Sequence, residues 1–280
     1  MITHPLQLPP GPVDLAALPT RAKPGYDGSK KDGKRLLFSI GDELSDLQER
    51  LFAQGVAGSP RRVLLVLQGM DTSGKGGVLR HTLGLVDPQG VRITSFKAPT
   101  EEEREHDFLW RVERALPGPG YLGVFDRSHY EDVLIARIHE LAPADEIERR
   151  YDAINAFEQR LVEEGTVVLK CMLHISAATQ KERLLARLDD PTKYWKFHAS
   201  DIDERAYWND YQHAYEIALE RTNTEHAPWF VVPSDRKWFR NLAIGQLLLR
   251  ALRGMDLDWP PNDFDIEAER ARLTDEKPIA

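Results

Sequence analysis

One short stretch of the 280-residue chain combines glycines with a lysine and an aspartate. It reads Gly69-Met-Asp-Thr-Ser-Gly-Lys-Gly-Gly77, follows an apolar run at 63–67 and precedes a helical pattern. A strand, a glycine-rich loop, a lysine and a helix in this order are typical of a P-loop, in which backbone N–H groups and the lysine face a phosphate. We therefore predict a phosphate site formed by Gly74, Lys75, Gly76 and Gly77.

The loop departs from the usual P-loop pattern at one position. After the lysine one expects Ser or Thr, whose hydroxyl binds magnesium, but residue 76 is Gly. Asp71 inside the loop offers a carboxylate instead, and Asp126 follows the third apolar run, where P-loop proteins carry a second metal-site carboxylate. Hard oxygen ligands suit Mg2+, with Mn2+ as the alternative ion. The other interpretation of Asp126 is a helix N-cap.

The residues after Asp126 carry further charge. The guanidinium of Arg127 suits phosphate oxygens, and we predict a catalytic role for it. Alternatively, Arg127 pairs with Glu131 or Asp132. His129 is interpreted as a hydrogen-bonded structural histidine, because an anionic phosphate acceptor needs no strong base.

Other charged residues lie near the predicted carboxyl ends of strands. Arg80, one turn after the loop lysine, reaches either the phosphate channel or a nearby acid. Lys97 follows the second apolar run and is a candidate for phosphate binding. Asp235 follows the fifth, where it either lies beside a nucleotide base or caps the last helix.

A basic stretch follows the fourth apolar run, and a helix–loop–helix pattern at about 177–205 carries it. Asp189-Asp-Pro191 interrupts the helix. This arrangement is typical of the lid of small P-loop kinases, whose closure excludes water and brings positive charge onto the transferring group. The alternative is a solvated charged surface. The predicted functional residues of the lid are Arg183, which we assign a catalytic role, and Arg187, Lys193 and Lys196, which we expect to bind phosphate.

The alternation of strands and helices defines the fold class. Five apolar runs with strand character lie at 63–67, 91–96, 121–125, 167–173 and 229–232. Helical patterns span 36–54, 75–86, 101–116, 129–137, 145–163, 177–188, 203–221 and 237–253. This α/β order predicts a five-stranded parallel sheet with helices on both faces and a ligand beyond the carboxyl ends of the strands. We expect an extended arm at 1–34, one kinase domain at 35–255 and a tail at 256–280.

Composition narrows the class of protein. The net charge of −8 argues against a nucleic-acid partner, and no run of 18 apolar residues suggests a membrane span. Prolines interrupt the N-terminus, which lacks a signal-peptide pattern. Cys171, the single cysteine, lies in an apolar run and is predicted to be a buried strand residue. A cytoplasmic protein is expected.

The motifs together resemble the type-2 polyphosphate kinase family. The resemblance rests on Gly69-x-Asp71-x-x-Gly-Lys75, on Asp126-Arg-Ser-His-Tyr-Glu131 and on the basic lid, and it covers residues 35–255. It implies a thymidylate-kinase-like P-loop sandwich of three layers with a helical lid, association into dimers or tetramers, and Mg2+. It also implies reversible transfer of the terminal phosphoryl group of inorganic polyphosphate to a nucleotide. The tetrapeptide His129-Tyr-Glu-Asp132 is similar to that of the subgroup that phosphorylates both AMP and ADP. The resemblance implies that Glu131 helps to place the nucleotide.

The residues lead to one mechanistic hypothesis and two alternatives. Asp71 and Asp126 hold the metal, Lys75 and the loop amides bind the transferring group, and Arg127 with the lid neutralises charge in an in-line transfer. The first alternative is an ATP-dependent nucleoside or nucleotide kinase, which the missing hydroxyl at residue 76 disfavours. The second is a nucleotide-sensing regulatory module, for which the chain lacks a base-specific motif.

Overall fold

A five-stranded parallel sheet forms the centre of the computed structural model, which describes residues 4–276. The spatial order is β2-β3-β1-β4-β5. The strands are β1 (Arg62–Gln68), β2 (Val91–Ser95), β3 (Leu122–Asp126), β4 (Thr166–His174) and β5 (Trp229–Pro233). All five predicted strands are confirmed, and each end lies within one residue of its prediction.

Twelve α-helices surround the sheet in the described part of the chain. They are α1 (Lys30–Ser39), α2 (Gly41–Val56), α3 (Lys75–His81), α4 (Glu101–Arg104), α5 (Trp110–Ala115), α6 (Ile135–Ile138), α7 (Ala144–Glu163), α8 (Ala177–Leu188), α9 (Ser200–Asp203), α10 (Trp208–Arg221), α11 (Lys237–Arg253) and α12 (Ile266–Thr274). The predictions for α8 and α11 are confirmed at both ends. None of these helices has the length and apolar character needed to cross a bilayer.

The side chains of β1 point alternately into two hydrophobic cores. Val63, Leu65 and Leu67 pack with α2 and α11 on one face of the sheet. Leu64 and Val66 pack with α7 and α10 on the other face. All five side chains are fully buried, as expected for a parallel sheet covered on both faces. The predicted three-layer α/β sandwich is confirmed.

The first helical region differs from its prediction. The pattern at 36–54 predicted one helix, but α1 and α2 meet at Ile40, and α1 begins at Lys30. The earlier start is caused by a capping box, in which Ser29 and Asp32 satisfy each other's backbone N–H groups. Gly33 lets α1 approach α11 closely, because a Cβ there would overlap the Trp238 ring.

Four other predicted helices are divided. The pattern at 75–86 gives α3, which ends at His81, and then a 3-10 helix, Leu83–Leu85. The pattern at 101–116 gives α4 and α5, because Asp107 accepts from the Leu109 N–H and interrupts the helix. The pattern at 129–137 gives a 3-10 helix, His129–Asp132, and then α6. The pattern at 203–221 gives a 3-10 turn before α10.

The N-terminal segment packs against the sheet. The prediction of an extended arm at 1–34 did not include this packing. Gln7 forms an antiparallel bridge with Phe230 of β5, and Leu6, Leu8 and Leu15 are buried. At the other end, the predicted tail contains the exposed helix α12. Residues 1–3 of the arm and 277–280 of the tail lie outside the described residues.

The lid region and the cysteine have the predicted local structure. Helix α8, a basic 3-10 segment (Pro191–Lys196) and α9 follow β4 in the predicted order. Cys171 is buried in β4, and burial raises the pKa of its thiol.

Candidate active site

The loop between β1 and α3 forms the centre of the site. Gly69 and Gly74 have φ angles of 147° and 108°, which residues with a Cβ rarely adopt. Helix α3 begins at Lys75, so its first amides have no acceptor within the helix and can donate to an anion. The Lys75 ammonium donates to the Gly69 carbonyl at 2.9 Å. The loop therefore has the backbone shape expected of a P-loop.

Two carboxylates and a guanidinium meet at the carboxyl edge of the sheet. Asp126 ends β3 beside Leu67 of β1, two residues before the loop. Arg127 Nη2 lies 3.5 Å from Oδ1 of Asp71 within the loop. The structure thus brings Asp71, Asp126 and Arg127 together, as the sequence predicted. The N-cap alternative for Asp126 is wrong, because Ser128 caps the helix that follows.

The pairing alternatives for Arg127 are also resolved. Among the described residues its ion pair is with Asp71, so the alternative pairing with Glu131 or Asp132 is wrong, and Asp132 pairs instead with Arg111 at 3.1 Å. Arg127 has a φ angle of 65° and Thr72, in the loop, a φ angle of 62°. Such left-handed conformations cost non-glycine residues about 1–3 kcal/mol and cluster at functional sites. Two of the four non-glycine residues with a positive φ in residues 4–276 therefore lie at the predicted phosphate site, and the other two, Glu140 and Asp256, lie elsewhere.

Opposing influences act on the two cationic side chains. Burial lowers the pKa of the Lys75 ammonium, and the charge of Arg127 adds to this effect. The carboxylates of Asp126, Glu131 and Asp71 act in the opposite direction. Burial also disfavours the charged form of Arg127, but the surrounding carboxylates outweigh it and raise its pKa. Burial thus dominates for Lys75, whose pKa is lowered, whereas the carboxylates dominate for Arg127, whose pKa is raised.

Glu131 is half-buried on the 3-10 helix that follows β3 and Arg127. The Gln68 amide, in the orientation that satisfies both of its neighbours, donates to Glu131 Oε1 at 3.0 Å. Burial raises the pKa of Glu131, and the charges of Arg127 and Lys75 oppose this. The Tyr215 hydroxyl from α10 accepts from the Gly69 N–H at 3.0 Å. A carboxylate and a phenol thus lie beside the loop.

Asp71 and Asp126 fit a magnesium ion. Asp71 lies in the loop 3.5 Å from Arg127, Asp126 ends β3 beside β1, and the charges of both carboxylates act on the Lys75 ammonium. No group of three or more His, Cys, Asp or Glu side chains in residues 4–276 is arranged as a protein metal site. Mg2+ in phosphoryl-transfer sites is usually held by one or two carboxylates, substrate phosphates and water. The residues present match that donor set, and their role as ligands stays a prediction.

The lid residues hold one another above the loop. Arg187 donates to the Lys196 carbonyl at 2.9 Å and lies 3.3 Å from Asp201 of α9. Lys193 pairs with Asp190 at 2.6 Å, and the Lys196 ammonium lies over the Trp195 ring. Burial raises the pKa of Asp201, and the negative charge of Asp71 adds to it. The lid helix α8 contacts the loop directly, because the Gln180 amide donates to the Asp71 carbonyl at 3.2 Å, and neither Gln180 nor Asp201 was singled out from the sequence.

Arg80 and Lys97 are not part of this cluster. Both side chains are exposed, Arg80 on α3 and Lys97 after β2. Neither makes a side-chain hydrogen bond or ion pair with the residues around Asp71 described above. Their phosphate-binding roles stay predictions that need a long, extended ligand.

Arg183 and Asp235 have structural partners. Arg183 donates to the carbonyl groups of Thr72 and Ser73 in the loop and to those of Ser234 and Asp235 after β5. Asp235 accepts from the backbone N–H and the hydroxyl of Ser176. It does not cap α11, where Arg236 is the N-cap residue, so that alternative is wrong. The catalytic role of Arg183 and the nucleotide-binding role of Asp235 stay predictions.

Sequence reasoning missed a buried arginine beneath the loop. Arg240 of α11 is 2% exposed and donates to the Ser73 carbonyl at 3.1 Å. The sequence carried one signal for this residue, an arginine among the apolar residues of Lys237–Arg253. A charged side chain is rarely buried unless it has a partner.

Comparisons with known proteins agree with the geometry. The AMP/ADP-polyphosphate phosphotransferase of Meiothermus ruber is 42% identical over 252 residues, which cover 90% of this chain and 93% of the relative. The ADP-polyphosphate phosphotransferase of Rhodopseudomonas palustris is also 42% identical, over 89% of this chain and 88% of the relative. The crystal structure of polyphosphate kinase 2 from Arthrobacter aurescens TC1 has a TM-score of 0.94 and 56% identity, covering 97% of this chain and 95% of that one. The family model described as Polyphosphate kinase 2 (PPK2) matches residues 27–260, and the chain belongs to this family.

Proposed function

We propose that this protein transfers the terminal phosphoryl group of inorganic polyphosphate to AMP, ADP or both, in a reversible reaction. The observation that carries the proposal is the meeting of Asp71, Asp126, Arg127 and Lys75 at a P-loop without a hydroxyl at residue 76. The names of the two relatives support the same substrates.

The reaction joins two anions, so charge neutralisation is its main requirement. A phosphate oxygen of the nucleotide forms a bond to the terminal phosphorus of polyphosphate, and the bond from that phosphorus to the bridging oxygen breaks. The shortened polyphosphate keeps this oxygen. Lys75 and the loop amides bind the transferring group, while Arg127 stabilises the charge on its oxygens. Mg2+ held by Asp71 and Asp126 would supply further charge neutralisation.

The lid supplies the surface that a linear polyanion needs. Arg187 lies on α8, and Lys193 and Lys196 lie on the 3-10 segment that follows it. Closure of this unit onto the phosphate chain would exclude water. Arg80 and Lys97 are both exposed and would extend the positive surface along the polyphosphate chain. On the acceptor side, Glu131, Arg127 and Asp235 would position the nucleotide.

The wider properties of the protein follow from the same assignment. We expect a homo-oligomer, dimer or tetramer, in the cytoplasm. The net charge of −8 supports the expectation that nucleic acid is not a partner.

An assay with a single phosphoryl donor tests the proposal. Purified protein is incubated with ADP, Mg2+ and polyphosphate, and ATP is measured; AMP is tested in parallel by formation of ADP. ATP formation that depends on polyphosphate is expected. Phosphorylation of nucleosides by ATP, with no product from polyphosphate, would favour the ATP-dependent kinase. Nucleotide binding without turnover on either donor would favour a regulatory module.

A further inference from the structure

A buried positive charge lies directly behind the P-loop. Arg240 donates to the Ser73 carbonyl through Nη1, and its Nε and Nη2 donate to Asn241 Oδ1 at 3.1 and 2.8 Å. It makes no ion pair with a carboxylate in the described part of the chain. Burial of a charge without an opposite charge is costly, so such a residue calls for a counter-charge that arrives with a ligand.

A second guanidinium approaches the same backbone atom. Arg183 Nη1 donates to the carbonyls of Thr72 at 2.8 Å and of Ser73 at 3.1 Å. The Ser73 carbonyl therefore accepts from two arginines. Burial lowers the pKa of Arg240, and the charge of Arg183 lowers it further. The free loop thus holds two neighbouring positive charges at an energetic cost.

Two glycines of the loop make room for Arg240. A Cβ at Gly74 would overlap its Nη1, and a Cβ at Gly77 would overlap its Nη2. A Cβ at Gly76 or at Gly84 would meet no atom within 4 Å. The glycine at 77 is therefore explained by the guanidinium behind the loop, whereas the glycine at 76 is not.

The Ser73–Gly74 peptide lies between the two arginines and the phosphate side of the loop. In a trans peptide the C=O of one residue and the N–H of the next point in opposite directions. The Ser73 carbonyl faces the arginines, so the Gly74 N–H points away from them, toward the space before Lys75. Two charge-assisted hydrogen bonds to the carbonyl also polarise the peptide and strengthen this N–H as a donor.

We propose that Arg240 is a positioning residue for the phosphate site, and that its buried charge is neutralised by the bound phosphate chain. It fixes the orientation of the Ser73–Gly74 peptide together with Arg183, and its charge attracts the anion through the loop. The inference rests on the phosphate-binding role of the loop stated under the proposed function.

Binding of tripolyphosphate without nucleotide tests this role directly. Isothermal titration calorimetry compares the wild-type protein with Arg240→Met, which keeps the size but removes the charge, and with Arg240→Lys, which keeps the charge. We expect Kd to rise about tenfold in Arg240→Met, because the attraction between the buried guanidinium and the charge of the bound tripolyphosphate is lost. In Arg240→Lys we expect a rise of no more than about threefold on the same scale.

The outcomes separate this inference from the proposed function. Wild-type affinity in a folded Arg240→Met variant overturns the inference and leaves the phosphate site intact. Equal weakening by Met and Lys overturns the neutralisation of the buried charge by phosphate, because the hydrogen bonds of the guanidinium to the loop, and not its charge, would then matter. Absence of binding by the wild-type protein overturns the phosphate site itself.

A glycine pair provides a second measurement if Arg240→Met does not fold. Gly77→Ala pushes the guanidinium away, whereas Gly84→Ala adds the same methyl group to an open position. Weaker tripolyphosphate binding is expected for Gly77→Ala alone. Wild-type affinity in a folded Gly77→Ala variant contradicts the inference.

Discussion

The replacement Asp71→Asn separates the contribution of this carboxylate to catalysis from its contribution to folding. The substitution keeps the shape of the side chain and removes its charge. The Asp71 and Arg127 side chains are 37% and 44% exposed and lie 3.5 Å apart, so their ion pair is accessible to solvent. Exposed pairs contribute only about 0.2–1 kcal/mol to stability. The free energy of unfolding should therefore fall by no more than about 1 kcal/mol.

The catalytic effect should be much larger. Asp71 is one of two carboxylates proposed to hold the metal, and it orients Arg127 toward the transferring group. Loss of a group that stabilises transition-state charge typically costs about 10²–10³ in rate, or about 2.7–4 kcal/mol. We therefore expect the rate of ATP formation to fall at least about 100-fold, well beyond any effect on stability.

Two assays and one matched control measure these quantities. ATP formation from ADP and polyphosphate is followed with luciferase, and unfolding is followed in urea. The control is Asp46→Asn, because Asp46 forms a comparable pair with Arg50 at 2.9 Å, and these side chains are 44% and 29% exposed. Asp46 lies on α2, away from the loop, so this variant should keep the wild-type rate.

The reasoning is refuted by a folded Asp71→Asn protein that keeps more than about a tenth of the wild-type rate, since a metal ligand cannot be so dispensable. A loss of stability well above that of Asp46→Asn would also refute it, because Asp71 would then have a structural role.

Three further predictions use other parts of the molecule. Lys75→Ala should abolish most activity but keep the wild-type unfolding curve; retained turnover would contradict the role of the P-loop lysine. Glu158→Gln should destabilise the fold by about 3–5 kcal/mol, because it leaves the fully buried Lys170, now 2.6 Å from Glu158, without its counter-charge. Urea unfolding of this variant and of the double replacement with Met at both positions checks it, and the double variant should recover stability. Cys171 should resist a thiol reagent at pH 8 until the protein unfolds, since burial raises its pKa; rapid labelling of the native protein would contradict this.

The strands were predictable because both faces of the sheet are covered. A strand such as β1, buried on both sides, must be apolar at successive positions, and this leaves a short run that is easy to recognise. The positions of Asp71, Asp126 and Arg127 followed, because parallel strands end at the same edge. The start of α1 was missed because Ser29 and Asp32 give a capping signal without an apolar stripe.

The roles of the arginines near the loop were harder to predict from the sequence. Arg183 and Arg187 lie one turn apart on α8, so spacing assigned both to the lid. The structure separates them, because Arg183 donates to the loop while Arg187 donates to the Lys196 carbonyl and to Asp201 of α9. Arg240 could not be assigned, because its acceptor in the loop is a backbone carbonyl. Every residue type offers such an acceptor, so the sequence carries no complementary signal.

The N-terminal segment also covers one edge of the sheet. The Leu8 N–H donates to the Trp229 carbonyl at 2.8 Å, and the Val231 N–H donates to the Leu6 carbonyl at 2.9 Å. The outer side of β5 is thereby occupied by the protein's own chain. At the opposite end, β2 has no outer strand among residues 4–276, and Ile93 is 49% exposed there. Open edges are templates for pairing with other chains. Among residues 4–276, the sheet edge that is open for pairing with a further strand is therefore that of β2.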